Sequence, residues 1–465
     1  MSRHLPIVLL GLMLAACDAA LPSADPGAER SGGDTTVWKA DSNAYSHPSA
    51  NLPPSRRLDF SVGNSFFRNP WVSAPSSTTA RDGLGPLFNS NACQNCHIKD
   101  GRGRPPYADA DHAVGMLVRL SIPANAADAQ HLARVGSIAE PVYGSQLQDM
   151  ALPGARPEAR LRVRYQPQLA SFADGYQVEL QRPQLDVSEL GYGPLHPQAR
   201  FSPRIAPPMI GLGLLEAIPE QALLANADPE DADGDGISGR ANRVWDIARQ
   251  QQVLGRFGWK AGQPSLDQQN ATAFAIDMGL TSSLLPADDC TASQGCAAFA
   301  HGGEPEVSDN IRSKVLFYSR NLAVPARRGL DDPQVRAGEK LFHQAGCPAC
   351  HVPSFTTAAD AAEPELANQR IHPYSDLLLH DMGDGLADEH GEFLANGREW
   401  RTAPLWGIGL SETVSGHSRF LHDGRARNLL EAVLWHGGEA EPARQRILNY
   451  DAEQRSALLA FLNSL

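Results

Sequence analysis

The alternation of apolar and polar positions changes character several times along this 465-residue chain. It opens on a short apolar run, residues 5–14, preceded by Arg3 and His4 and closed by Ala15-Ala16-Cys17. Such a run is too short to span a bilayer as a permanent helix. A basic start, a short apolar stretch and small residues at a cleavage point predict an export signal over residues 1–17. Residues 18–58 hold mostly Ser, Pro, Asp, Gly and Ala with little periodic hydrophobicity, the composition of a flexible tether. Periodicity then returns. Leu161, Val163 and Tyr165 alternate with arginines, and Tyr176, Val178 and Leu180 alternate after Asp174-Gly175, which predicts a β-hairpin. Asp332-Pro333 opens a helix containing Val335, Leu341 and Phe342. Asn428 with Glu431 predicts a capped helix on which Leu429, Val433 and His436 share one face. Asp451 with Gln454 forms a capping box leading into Leu458, Leu459, Phe461, Leu462 and Leu465. The pattern predicts a mainly α-helical protein. Its N-terminal region, 59–325, would carry loop and hairpin insertions, and a shorter C-terminal region, 330–465, would follow a linker.

The two regions echo one another. Leu87-Phe88, four residues and then Cys93-Gln94-Asn95-Cys96-His97 match Leu341-Phe342, four residues and then Cys347-Pro348-Ala349-Cys350-His351. Residues 206–216 similarly resemble residues 403–412, so two motifs recur in the same order, as in a duplicated unit. In CxxCH, two thiols two residues apart reach the two vinyl groups of one haem, and the adjacent histidine falls under the iron. Zinc would need four ligands per site, and a redox dithiol does not need the histidine. Cys93, Cys96 and His97, and Cys347, Cys350 and His351, are therefore expected to hold two covalently attached haems c. A second protein ligand on both irons makes an electron carrier, whereas an open position on one makes an enzyme. For the second haem, spacing leaves His436 either a ligand or a hydrogen-bonded core residue. Met382 is the rival ligand, or a loop-packing residue.

A net charge of −13 argues against nucleic acid as a partner and favours encounter with a basic one, such as a small electron-carrying cytochrome. Leu14-Ala15-Ala16-Cys17 resembles a bacterial lipobox, which predicts lipidation of Cys17 and anchoring on the periplasmic side of a membrane. Asp18 after it points to the inner membrane. Cys290 and Cys296 are then left over, close together, and an oxidising compartment favours a disulfide between them. Asp231, Asp233 and Asp235, the turn at Gly236, the Ile237 carbonyl and Asn242 at position twelve fit a weak calcium loop, against the alternative of a solvated acidic turn.

Residues 87–103 (LFNSNACQNCHIKDGRG), 204–219 (RIAPPMIGLGLLEAIP), 255–270 (GRFGWKAGQPSLDQQN) and 400–438 resemble the bacterial dihaem cytochrome c peroxidase and MauG superfamily. The likeness is greatest to its peroxidase-type dihaem oxidoreductase group, also described as thiol oxidoreductases. The resemblance implies two cytochrome-c-like domains, a reactive N-terminal haem on His97, and peroxide or a related small oxidant as substrate. In that superfamily the helix after His-Asp-Gly carries the distal ligand of the C-terminal haem, and counting from His422 places it at His436. For the N-terminal haem, His112 and Met116 are candidates for the distal side. Glu216, which ends a repeated segment, Gln146 and Gln148 are candidates for an acid or hydrogen-bond donor that helps cleave an O–O bond. Trp400, Trp406 and Trp435 could relay a hole in long-range oxidation. The competing expectation is an electron-transfer cytochrome with both irons six-coordinate.

Overall fold

The structure, a computed structural model, describes residues 27–106 and 115–465. The export signal, Cys17 and His112 lie outside the described residues.

Two helix pairs organise the molecule, and they are built alike. Helix Arg57–Arg68 crosses helix Asp309–Arg320, and helix Pro333–Ala345 crosses helix Ala452–Ser464. Both crossings are made at a glycine. A Cβ on Gly63 would sit 2.2 Å from the Lys314 carbonyl oxygen, and one on Gly338 would sit 1.9 Å from that of Ala457. Only a residue without a side chain lets the backbones approach so closely. One helical turn beyond each glycine stands a phenylalanine that touches both the partner helix and the histidine of a CxxCH motif. Phe67 lies 5.2 Å from Tyr318 and 6.1 Å from His97, ring centre to ring centre; Phe342 lies 5.1 Å from Phe461 and 6.2 Å from His351. The structural counterpart of Phe342 is therefore Phe67, not the Phe88 that sequence alignment of the two motifs suggests. Residues 68–92 intervene between Phe67 and Cys93 and hide the match.

Around these pairs lie more strands than the apolar pattern predicts. Met116–Ser121 is the centre of a three-stranded antiparallel sheet with Gln146–Leu147 and Arg200–Ile205, and four further pairs of strands are short. With about 30% helix and 18% strand the protein is mixed α/β, which corrects the mainly α expectation. Strands of two to six residues contain too few alternations to be told from loops. The one long hairpin, Arg160–Ser171 with Gln177–Ser188, is in register over all twelve pairs.

Two boundaries drawn from composition also need correction. Residues 27–58 do not form a free tether. Tyr45 and Leu52 are each only 1% exposed, Val37 bridges Pro325, and the Tyr45 hydroxyl donates to the Gly407 carbonyl. A few anchoring side chains suffice to seat a segment whose remaining residues form turns. Nor do regions 59–325 and 330–465 keep separate cores. Leu161, Phe172 and Leu180 pack in one cluster with Leu434, Leu458 and Phe461, and Leu214 and Val324 share another with Phe355 and Leu410. No helix among the described residues is long and apolar enough to cross a membrane.

Candidate functional site: two cavities with a common wall

Each CxxCH motif opens onto its own cavity. In the first, Cys93–Cys96 form a single helical turn and the His97 amide donates to the Cys93 carbonyl at 3.0 Å. His97 Nδ1 donates to the Pro207 carbonyl at 2.8 Å, which leaves Nε2 as the lone-pair nitrogen. Burial pushes this imidazole down to about 4, so it is neutral at physiological pH, as a metal ligand must be. In the second, the His351 amide donates to the Cys347 carbonyl at 2.9 Å, and His351 Nδ1 to the Tyr374 carbonyl at 2.9 Å. Burial again pushes the ring down to about 4. None of the four cysteines is in a disulfide.

What faces the histidine differs between the two. In the second cavity His436 lies across from His351, their ring centres 6.5 Å apart. Its Nδ1 donates to the Ala432 carbonyl at 2.8 Å, so its Nε2 too is the lone-pair nitrogen. Two imidazoles sharing one metal through bonds of about 2 Å place their ring centres roughly 6.4 Å apart. Met382 lines this cavity as well, as do Leu429 and Val433 of helix Leu429–Leu434, which ends two residues before His436. No second histidine lines the first cavity among the described residues. Its polar lining includes Gln263, Gln269, Asn270 and Asp277, and the buried Gln263 Oε1 has no hydrogen-bond partner.

The Asp277 carboxyl is raised above its ordinary value by burial. Its Oδ1 accepts from Gln146 Nε2 at 2.8 Å, and the same amide donates to Asn89 Oδ1 at 2.6 Å. Gln146 thus stands behind Asp277. Gln148 is a structural tie, its side-chain amide donating to the Ile276 carbonyl at 2.7 Å. Glu216, the catalytic candidate read from the repeat, is corrected by its contacts. Oε2 accepts from Arg320 at 2.6 Å and Oε1 from the Leu266 amide at 2.9 Å, so both oxygens are spent on a salt bridge and a helix start. Asp277 and Gln269 were passed over because, inside a helix, an acid and an amide have no distinguishing sequence signal. Their meaning comes from the cavity.

Five residues belong to both cavities: Arg102, Trp259, Arg401, Ala403 and Pro404. Trp259 Nε1 donates to the Ile205 carbonyl at 2.8 Å, which fixes the ring. Of the tryptophans singled out in sequence, Trp406 lines the first cavity, while Trp400 has Lys260 Nζ 4.0 Å from its ring centre and Trp435 has the Arg425 guanidinium at 4.8 Å. A cation against a ring face stabilises its electrons and opposes their removal. Trp400 also stacks on His422 with centres 3.7 Å apart.

Beside the second cavity, His380 is held between Asp376 at 2.8 Å and Glu439 at 2.7 Å. Burial opposes its protonation, but hydrogen bonds from Asp376, Cys350 and Glu439 raise it well above the usual histidine value. Glu439 in turn accepts from the Ser238 hydroxyl at 2.6 Å, just beyond the acidic loop. In that loop the carboxylates of Asp228, Asp231 and Asp233 converge within 4.8 Å. Asp235 accepts instead from the Ile237 amide at 2.8 Å. Asn242 is no part of the loop: it is 1% exposed, its Nδ2 donates to the Lys260 carbonyl at 2.7 Å and its Oδ1 accepts from Leu394 at 3.0 Å. The twelve-residue ligand frame ending at Asn242 is thereby corrected, because the chain leaves the loop at Arg240, which bridges Leu379, and runs into strand Arg243–Asp246. Cys290 and Cys296 are joined in a disulfide.

The donor set suits haem. Among the described residues the acidic loop is the only place where three or more His, Cys, Asp or Glu ligand atoms converge, so the CxxCH groups surround cavities instead of closing on one small ion. Each cavity offers two free thiols, a neutral imidazole nitrogen and largely apolar walls.

The family described as "Di-haem oxidoreductase, putative peroxidase" matches residues 26–465. No curated protein matches the chain. Among solved structures, hydrazine synthase from Kuenenia stuttgartiensis aligns over 99% of this chain and 100% of that one. Its 12% identity and TM-score of 0.30 are too low to bear on fold or function.

Proposed function

The chain belongs to the di-haem oxidoreductase family, and from that premise we propose that it is a dihaem c-type cytochrome that reduces peroxide at its first cavity and passes electrons through its second. The observation that carries this reading is the asymmetry of the cavities: His351 is faced by His436 at 6.5 Å, while no described histidine faces His97. Haems bound through Cys93 and Cys96 and through Cys347 and Cys350 would supply two irons, each able to give one of the two electrons that peroxide takes up.

The residues do the rest. His97 and His351, oriented by the Pro207 and Tyr374 carbonyls, would hold the haems through Nε2, with His436 as a second ligand at the second site. With no second histidine lining the first cavity among the described residues, a haem held by His97 would leave room there for a small oxidant. Asp277 there takes the proton from the near oxygen of hydrogen peroxide at Oδ2 and returns it to the departing oxygen. With two electrons and two further protons the products are two waters. Gln146 fixes Asp277 through Oδ1, and Gln269, which lines the same cavity, would donate a hydrogen bond to the bound oxidant. The Cys290–Cys296 disulfide and the thioether chemistry of CxxCH favour an exported, oxidising location, and the net charge of −13 favours a basic electron donor.

EPR of the fully oxidised and the one-electron-reduced holoprotein tests the assignment. A high-spin ferric signal in either state that responds to cyanide, accompanied by peroxide turnover, is expected. Low-spin signals from every ferric haem in both states, unchanged by cyanide or peroxide, would make the protein an electron-transfer cytochrome.

A further inference from the structure

The common wall holds buried charge that the proposed chemistry has not used. Arg102 is 5% exposed, borders both cavities, and its Nε has no hydrogen-bond partner. Its guanidinium stands 5.3 Å from the Phe420 ring centre. Arg401, half-buried, also borders both cavities, and its side chain donates only to backbone carbonyls, Gly258 at 2.8 Å and Thr402 at 3.3 Å. Neither arginine has a carboxylate within ion-pair distance among the described residues, the charge of Asp376 reaching Arg401 only from further off, and burial pushes both down to about 10. Arg204, 6% exposed, borders the first cavity; one terminal nitrogen pairs with Glu392 at 2.7 Å while Nη2 is buried and unpartnered.

A buried guanidinium without a counter-ion is strongly unfavourable, and its planar fork is matched to a carboxylate. Other arginines here obey that rule, Arg327 with Glu339 at 2.9 Å and Arg425 with Asp423 at 2.8 Å. Arg102 and Arg401 break it, and they do so at the one wall where the two cavities meet. The anion they await must therefore come with the contents of the cavities. A haem carries its two propionates on the edge opposite the vinyl groups, so the edge turned away from the cysteines is the anionic one.

We propose that Arg102 and Arg401 form a carboxylate-binding wall shared by the two haems, each arginine receiving propionates from both sides, with Arg204 adding a donor on the first side. This rests on the dihaem reading above. Its consequence is electrostatic: one cation set is common to both irons, so removing one charge moves both. A positive charge favours the reduced, less positive iron, and its loss makes reduction harder.

The test uses the holoprotein. Pyridine haemochrome counting comes first, since fewer than two haems per chain in the wild type would sink the dihaem reading itself and not merely the wall. Spectroelectrochemical titration of Arg102→Gln should then shift both midpoint potentials negative, with Arg102→Lys restoring most of the shift. Two bound haems with potentials unchanged, or a shift confined to one haem, would overturn the proposal. Resonance Raman of the wild type is a second readout that needs no variant to fold. The propionate bending bands of both haems should lie at the hydrogen-bonded position, and a band at the free position for either haem refutes the shared wall.

Discussion

Asp277, which lines the first cavity, ends helix Leu266–Asp277 with one carboxyl oxygen held by Gln146. Asp277→Asn keeps the shape and removes the titrating proton. It should lower peroxide turnover by about 10²-fold or more at unchanged haem content, measured by steady-state kinetics beside haemochrome counting. Glu216→Gln is the control: turnover per haem should persist, while denaturant melts should show a loss of about 1–3 kcal/mol because Arg320 loses its nearer charge partner and keeps only Glu363 at 3.6 Å. The opposite result in both variants would restore Glu216. At this scale the sequence was legible wherever spacing is dictated by chemistry. CxxCH, whose histidines each line a cavity, is one case, whereas the helix predicted to carry His436 ends at Leu434, two residues short of it. The sequence was silent wherever a residue type is common and its neighbour lies far along the chain. Asp277 and Gln146 are such a pair, and Asn242, three residues beyond Gly239 in sequence, proves to be locked to Lys260 and Leu394.

Hairpin Arg160–Ser171 with Gln177–Ser188 belongs by sequence to the first half yet rests on the second. The Ala173 amide donates to the Leu448 carbonyl at 2.9 Å, Arg455 pairs with Asp174 at 2.7 Å, and Arg182 stands 6.0 Å from the Trp435 ring centre, beside the His436 helix. Alternation showed that this hairpin has an inner face but not which surface that face covers. The same limit applied to helix Arg57–Arg68, whose Gly63 and Phe67 mean little until helix Asp309–Arg320 is laid across them. Capped helices such as Ala452–Ser464 were legible because their start signal is local. The hairpin's role is measurable. Phe172 is 3% exposed with the Arg455 guanidinium 4.5 Å from its ring centre, so Phe172→Ala should cost about 3–5 kcal/mol in denaturant unfolding. Leu169→Ala, at a position 64% exposed in the same hairpin, should change stability by less than about 0.5 kcal/mol. Equal effects at the two positions would mean that the hairpin does not brace the second half.

Across the whole molecule the buried titratable groups oppose one another, and their balance sets a pH window. Burial raises Asp100 and Asp289 to about 6 and Glu158 to about 9. The folded protein thus holds protons that the unfolded chain has released, and stability falls as pH rises from the ordinary carboxylate value through each raised one. His380, raised by its partners, acts in the same direction above the ordinary histidine value. His390 and His422 are pushed down to about 3 by burial, so the unfolded chain binds their protons first and stability falls as pH drops below the ordinary histidine value. Glu392 and Glu439 are held at about 2 against the effect of burial, by Arg204 and His380 in particular, and their contribution is lost on further acidification. Between the carboxylate and histidine values the two sets offset each other. Above that interval Glu158 and His380 lose stability as pH rises, while Lys260, pushed down by burial, works in the opposite direction. The holoprotein's unfolding free energy should therefore be nearly level between about pH 4.5 and 6.5, then decline toward pH 9 by up to about 1.4 kcal/mol per pH unit from each group, with the melting temperature falling alongside. Glu158 is 1% exposed and accepts from the Gln148 amide at 2.7 Å, so Glu158→Gln replaces a carboxyl that is neutral in the fold by an isosteric neutral amide. Calorimetry of that variant should retain the acid limb and flatten the alkaline one. An alkaline limb as steep as the wild type's would assign the decline to His380 alone, and a melting temperature that rose toward pH 9 would reverse the sign of the argument.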